Sequence, residues 1–94
     1  MISQKWIKDT IERLSGHKGV KGVVITSAEG IPLSSTLSSD ETEKIAAFVT
    51  SIVDKAKKII NELGSSKLNF LTVDASKKEL LIAPEKDYIL VVLR

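Results

Sequence analysis

The chain has 94 residues, of which 43% are apolar, and its formal net charge is +2. This length fits a single domain, predicted to span residues 1–94. The absence of cysteine excludes disulfides, thiol catalysis and cysteine metal sites. Lysines are spread among acidic residues, no apolar run reaches transmembrane length, and Met1-Ile2-Ser3 opens no signal peptide. We therefore expect a cytoplasmic protein that neither binds nucleic acid nor inserts into a membrane.

Apolar residues at helical spacing near the start of the chain predict a first helix over residues 3–15. Ile7, Ile11 and Leu14 follow one another at intervals of four and three. Ser3 is a suitable N-cap, and Gly16 is predicted to end the helix in a left-handed conformation. Trp6 falls at the edge of the apolar row.

The segment GVVITSAEGIPLSSTL, residues 22–37, has the pattern of a β-hairpin. We expect strands over residues 20–27 and 31–36, joined by a turn in which Gly30 adopts a positive φ. A phosphate-binding loop is excluded because no Gly-Lys-Ser/Thr occurs in the sequence. Pro32 cannot donate to a ladder of hydrogen bonds, so its strand is predicted at a sheet edge.

A long helix is predicted over residues 40–63, with Asp40 as its N-cap, Glu43 in a capping-box position and Gly64 as its stop. Its apolar surface is wider than one contact with a sheet requires. A helix buried deeply in its own core would explain this width. We favour the alternative, in which the helix packs on its sheet and also against another helix. The apolar positions are Ile45, Ala46, Phe48, Val49, Ile52, Val53, Ala56, Ile59, Ile60 and Leu63.

Three more strands are predicted over residues 68–74, 78–83 and 88–93, and their short links imply antiparallel neighbours. The last is apolar throughout and should be central in the sheet. The predicted fold is α/β of the α+β kind, in the order α-β-β-α-β-β-β. Its antiparallel five-stranded sheet carries helices on both faces. The first helix is too short to cover its face, so a partner segment is predicted to dock beside it, near Trp6 and Ile7.

The sequence offers no recognisable catalytic constellation. His17 is the only histidine, and the serines lack both a nucleophile elbow and a base partner. Glu85 and Asp87 fit ordinary turn chemistry better than a general-acid pair. We expect a protein that is not an enzyme and that uses no metal or other cofactor.

Two segments resemble the roadblock family: GVKGVVITSAEGIPLSST, residues 19–36, and LNFLTVDASKKELLIAPEKDYILVVL, residues 68–93. The resemblance covers nearly the whole chain and implies a roadblock/profilin-like domain without an active site. It further implies a homodimer, or a heterodimer with a paralogue. In that dimer the third strands pair, the long helices lie side by side and one ten-stranded sheet forms.

The resemblance also implies a function. Family dimers serve as platforms for small GTPases or for a segment of a dynein intermediate chain. We therefore expect a scaffold that binds and regulates or positions a small Ras-like GTPase, the alternative being a roadblock-type dynein light chain. The surplus width of the long helix and the proline-free third strand predict the dimer interface. Its residues are Ile45, Phe48, Val49, Ile52, Leu68, Phe70 and Thr72.

Overall fold

The computed structural model describes residues 2–65 and 67–94. The first helix, α1, spans Gln4–Ser15, and the Ser3 hydroxyl oxygen caps it by accepting a hydrogen bond from the Trp6 N–H at 3.0 Å. Gly16 was expected to be left-handed, but its φ is −81°. The helix ends in right-handed geometry because the Gly16 and His17 N–H groups still bond to the last-turn carbonyls of Glu12 and Leu14. The left-handed conformation occurs at Gly19 instead.

The hairpin is confirmed, with strands β1 over Gly22–Ser27 and β2 over Pro32–Ser35. Gly30 adopts the expected positive φ, 95°. The Ser27 hydroxyl oxygen accepts hydrogen bonds from the N–H groups of Glu29 and Ile31, which fixes the turn.

The long helix, α2, spans Ser39–Glu62, so it begins one residue earlier than predicted. Its N-cap is Ser38 and not Asp40. The Ser38 hydroxyl oxygen accepts from the Glu41 N–H at 3.2 Å, and the hydroxyl donates to the Glu41 carboxylate at 2.9 Å. Asp40 instead lies in the first turn, where its charge suits the helix dipole. Gly64, with a φ of 84°, follows the end of the helix as expected.

Strands β3 (Leu71–Ala75), β4 (Lys78–Pro84) and β5 (Tyr88–Leu93) complete one antiparallel sheet in the order β2-β1-β5-β4-β3. The central position of β5 and the edge position of the Pro32 strand are both confirmed. The third strand begins three residues later than predicted. In the observed register Asn69 would lie opposite Pro84, which has no N–H to donate to a longer ladder.

The two faces of the sheet are packed by different helices. On one face Val49 and Val53 of α2 join a buried cluster with residues of β1, β4 and β5. The core side chains of that face are Val24, Ile82, Ile89 and Val91. Val23 and Ile25 alternate to the other face and are fully buried, and α1 packs against their strand and against β2. The predicted α+β architecture is therefore confirmed.

Candidate protein-protein interface

A row of large apolar side chains on α2 is exposed to solvent. It consists of Phe48, Ile52 and Ile59 within the helix and Leu63 at its C-cap, and we call these four residues the α2 row. Phe48 is 72% exposed and Leu63 is 77% exposed. The spacings of four, seven and four place the row on one line along the helix. At about 100° per residue, this line lies roughly 100° around the helix from the buried row Thr42, Ala46, Val49 and Val53.

The β3 edge of the sheet adds further apolar surface. β3 is an edge strand, and it contains no proline. Val73 within the strand and Phe70 immediately before it are exposed, Phe70 to 67%. Thr72 is exposed within β3. The edge therefore offers both unpaired backbone groups and apolar side chains to a second chain.

The predicted interface residues divide into three groups in the structure. Phe48, Ile52, Phe70 and Thr72 are accessible on the surface. Ile45 and Leu68 are half-buried and pack against the core cluster. Val49 is only 3% exposed and belongs to that cluster, so its side chain is not accessible to a second chain. Ile59, Leu63 and Val73 were not among the predicted interface residues, although the spacing of the helix places the first two in the same row.

The two residues predicted to bind a partner beside α1 also differ from each other. Ile7 is 6% exposed, because it is the side chain that α1 buries against the sheet, so it is not available to a partner. Trp6 is half-buried, and its ring meets Tyr88 edge-on with the ring centroids 4.7 Å apart. Burial, and then the negative charge of Glu85, raise the pKa of Tyr88 above its ordinary value.

Charged side chains lie on the solvent side of α2. Lys58 pairs with Asp54 at 3.3 Å and Lys44 with Asp40 at 3.0 Å, each pair one helical turn apart. Exposed pairs of this kind stabilise a helix by only about 0.3–0.5 kcal/mol. Lys57 is also exposed. This face is a solvated surface, in contrast to the α2 row.

Within residues 2–65 and 67–94, no cluster of three His, Cys, Asp or Glu side chains could hold a metal ion. In the same residues no helix combines the length and apolarity needed to cross a bilayer. Among the described residues, the α2 row holds four of the eight large apolar side chains that are exposed to solvent.

Comparison with known proteins identifies the class to which this domain belongs. The model of the Roadblock/LC7 domain family matches residues 7–94. The chain therefore belongs to the Roadblock/LC7 family, as the two sequence segments indicated.

Solved structures show the same fold at low sequence identity. Myxococcus xanthus MglB matches with a TM-score of 0.87 and 18% identity, over 98% of this chain and 77% of that one. A Roadblock/LC7 domain from Streptomyces avermitilis matches with a TM-score of 0.79 and 17% identity, over 85% of this chain and 69% of that one. The gliding protein MglB from Thermus thermophilus matches with a TM-score of 0.83 and 11% identity, over 99% of this chain and 75% of that one.

Proposed function

We propose that this protein is a non-enzymatic scaffold, that two copies pair through the α2 row and the β3 edge, and that the dimer binds a small Ras-like GTPase. The observation that supports the proposal best is the α2 row. Large apolar side chains aligned on one helix and left in water are typical of a surface that another protein covers.

The two sheet edges support the choice of β3 for pairing. At the β2 edge Pro32 removes a backbone donor, and this disfavours the addition of a strand. The β3 edge has no such block and lies next to the exposed Phe70. Antiparallel pairing of two β3 strands about a two-fold axis would bring the same surface of each chain together, as a self-complementary interface requires.

Pairing of the α2 helices fits their length and surface. Each helix is about 36 Å long at 1.5 Å per residue, so two antiparallel copies could align over most of the row. The pair would present a broad platform made from both chains. Membership of the Roadblock/LC7 family supports a small GTPase as the occupant of such a platform, because the family resemblance implies that such dimers serve as platforms for small GTPases.

The proposed function can be tested by measuring binding between the purified protein and the small Ras-like GTPases encoded in its own genome. Each GTPase is loaded with GDP or with a non-hydrolysable GTP analogue, and the heat of binding is recorded. We expect one GTPase to bind the dimer with a preference for one nucleotide state. Phe48→Asp should abolish binding because it removes the dimer, whereas Lys8→Asp, an exposed change on α1, should not.

Binding of none of the GTPases would contradict the proposal. Saturable binding of a dynein intermediate-chain peptide instead would also contradict it, and would favour the dynein light chain alternative. A GTPase that binds Phe48→Asp as tightly as the unmodified protein would show that the dimer is not the platform.

A further inference from the structure

The face of the sheet that carries α1 is only partly covered. α1 packs against β1 and β2, and the two β1 side chains beneath it, Val23 and Ile25, are fully buried. The strand register continues these two rows of side chains across β5 and β4, where each member is only half-buried. We call these four residues the open strip: Leu81, Ala83, Leu90 and Val92.

The opposite face of the same two strands is fully packed. Ile82 of β4 and Ile89 and Val91 of β5 are each at most 3% exposed and belong to the core cluster beneath α2. An antiparallel strand with one face in water normally alternates apolar and polar residues, but β5 is apolar at every position. Its sequence is therefore that of a strand covered on both faces.

The open strip is about one helix wide. Packed helices lie about 8–10 Å apart, and neighbouring strands lie about 4.8 Å apart. Because α1 lies over β1 and β2, a second helix beside it would lie two strands further, over β5 and β4. The six residues of β5 make the strip about 20 Å long, a length that about 13 helical residues would span.

A helix suits this surface better than an extended segment or a loop. The backbone groups of β4 and β5 are already bonded within the sheet, because each strand has a neighbour on both sides. A segment that lies on the face must therefore satisfy its own N–H and C=O groups, and a helix does so internally. Its apolar side would cover the strip while its polar side faced water.

Charges at one end of the open strip favour one direction for such a helix. Lys21 immediately precedes β1, and its ammonium group donates to the Lys77 carbonyl in the β3–β4 turn at 3.4 Å, so its charge lies at the end of the strip. Arg94 is neutralised by Glu79 at 2.7 Å. This leaves two lysines against the single carboxylate of Asp74 on the β3 edge. The C-terminus of a helix, the negative end of its dipole, fits beside Lys21.

We propose that the open strip binds an amphipathic helix of a partner protein, with the C-terminal end of that helix next to Lys21. Apolar side chains at helical spacing would contact the strip, as in other apolar grooves that bind helices. A carboxylate near the C-terminal end would pair with Lys21. No residue of the strip belongs to the α2 row or to β3, so the proposal does not depend on the dimer or on the GTPase.

The fluorescence of Trp6 can report binding, because Trp6 is the only tryptophan in the chain and contacts Tyr88 at the start of β5. The probe is the peptide acetyl-Ser-Leu-Lys-Ala-Leu-Leu-Lys-Ala-Leu-Leu-Lys-Glu-Leu-Glu-amide, whose leucines fall on one side of a helix. One control peptide has the same composition with its leucines spread around the helix, and another has proline in place of a central leucine.

We expect a saturable change in Trp6 emission with the probe and no saturation with either control peptide. Absence of binding by the probe would overturn the proposal. Equal binding of the peptide with dispersed leucines would also overturn it, because the contact would then not depend on an amphipathic helix. Equal binding of the proline peptide would assign the strip to an extended segment and contradict the proposal.

Matched variants locate the binding surface. Leu81→Asp places a charge in the open strip and should weaken the probe about ten-fold or more, and the milder Leu81→Ser should weaken it less. Phe48→Asp, in the α2 row, should leave binding intact even though it removes the dimer. Unchanged binding in both Leu81 variants, or loss in Phe48→Asp, would contradict the assignment. Thermal unfolding of every variant confirms that the fold is retained.

Reversing the charge of Lys21 tests the direction of the helix. Lys21→Glu should weaken the probe about three-fold, the scale of one exposed ion pair. The same variant should strengthen binding of a second peptide in which lysine replaces both glutamates. Equal effects of Lys21→Glu on the two peptides would contradict the placement of the C-terminal end.

Discussion

In an isolated domain, a helix is expected to bury its large apolar side chains and to leave smaller ones exposed. The two sides of α2 show the reverse. The buried row is made of small side chains: Thr42, Ala46, Val49 and Val53. The exposed α2 row is made of large ones: Phe48, Ile52, Ile59 and Leu63. Small side chains let the helix lie close to the sheet, while the larger apolar groups remain in water.

The difference shows that the core of one chain does not use all the apolar surface that α2 provides. A leucine, isoleucine or phenylalanine side chain contributes about 1.5–3 kcal/mol when it moves from water into a packed interior. The α2 row leaves several such side chains without this stabilisation in a single chain. Burial against a second copy would supply it, and the following predictions test the two rows separately.

The largest effect should come from a charge placed in the buried row. Val49→Asp would bury an unpaired carboxylate, at a cost of several kcal/mol, in a domain whose total stability should be about 5–15 kcal/mol. We expect the chain to lose its helical circular dichroism signal or to unfold at room temperature. The milder Val49→Ala should lower the free energy of unfolding by about 2–3 kcal/mol and keep the fold. A folded Val49→Asp protein with unchanged stability would place Val49 outside the core.

A substitution that disturbs the contact between the buried side of α2 and the hairpin should have a smaller effect on the free energy of unfolding. Gly30 has a φ of 95°, and a Cβ atom there would lie 2.9 Å from the Thr50 hydroxyl oxygen. Gly30→Ala should therefore lower the free energy of unfolding by about 2–3 kcal/mol, through backbone strain and contact with α2. Gly19 also has a positive φ but open space around it, so Gly19→Ala should cost only about 1 kcal/mol. If urea denaturation gave equal losses of unfolding free energy for Gly30→Ala and Gly19→Ala, the contact with Thr50 would contribute nothing.

Substitutions at the start of α2, the helix that carries both rows, should have the smallest effect on the free energy of unfolding. Ser38→Ala removes the N-cap and should lower the free energy of unfolding by about 1 kcal/mol. Asp40→Ala removes a first-turn charge and an exposed ion pair, so it should cost less than Ser38→Ala. Denaturant midpoints measured side by side compare the two, and a larger loss in Asp40→Ala would restore Asp40 as the effective cap.

Local patterns in the sequence were sufficient for most of the fold. The hairpin, the positive φ of Gly30, the edge position of Pro32 and the central position of β5 each depend on a few adjacent residues and were confirmed. The start of β3 could not be found in this way because it depends on Pro84, which lies on a different strand. The N-cap of α2 was misplaced because Ser38, Ser39 and Asp40 are all suitable capping residues.

The candidate interface was predicted less completely than the fold. Helical spacing indicated surplus apolar width on α2, but it could not separate Val49, which is buried, from Phe48, which is exposed. That separation depends on how the helix is rotated on the sheet. The contact of Trp6 with Tyr88 was not predicted for a related reason, since it joins residues from opposite ends of the chain.

The most direct test of the proposed dimer is the molar mass of the protein in solution, measured by multi-angle light scattering. We expect the unmodified chain to have twice the 10.3 kDa mass of one chain. Phe48→Asp should have the mass of a single chain and remain folded, because the changed side chain lies in the α2 row and not in the core. A monomeric unmodified protein, or a Phe48→Asp protein that stays dimeric, would contradict the account.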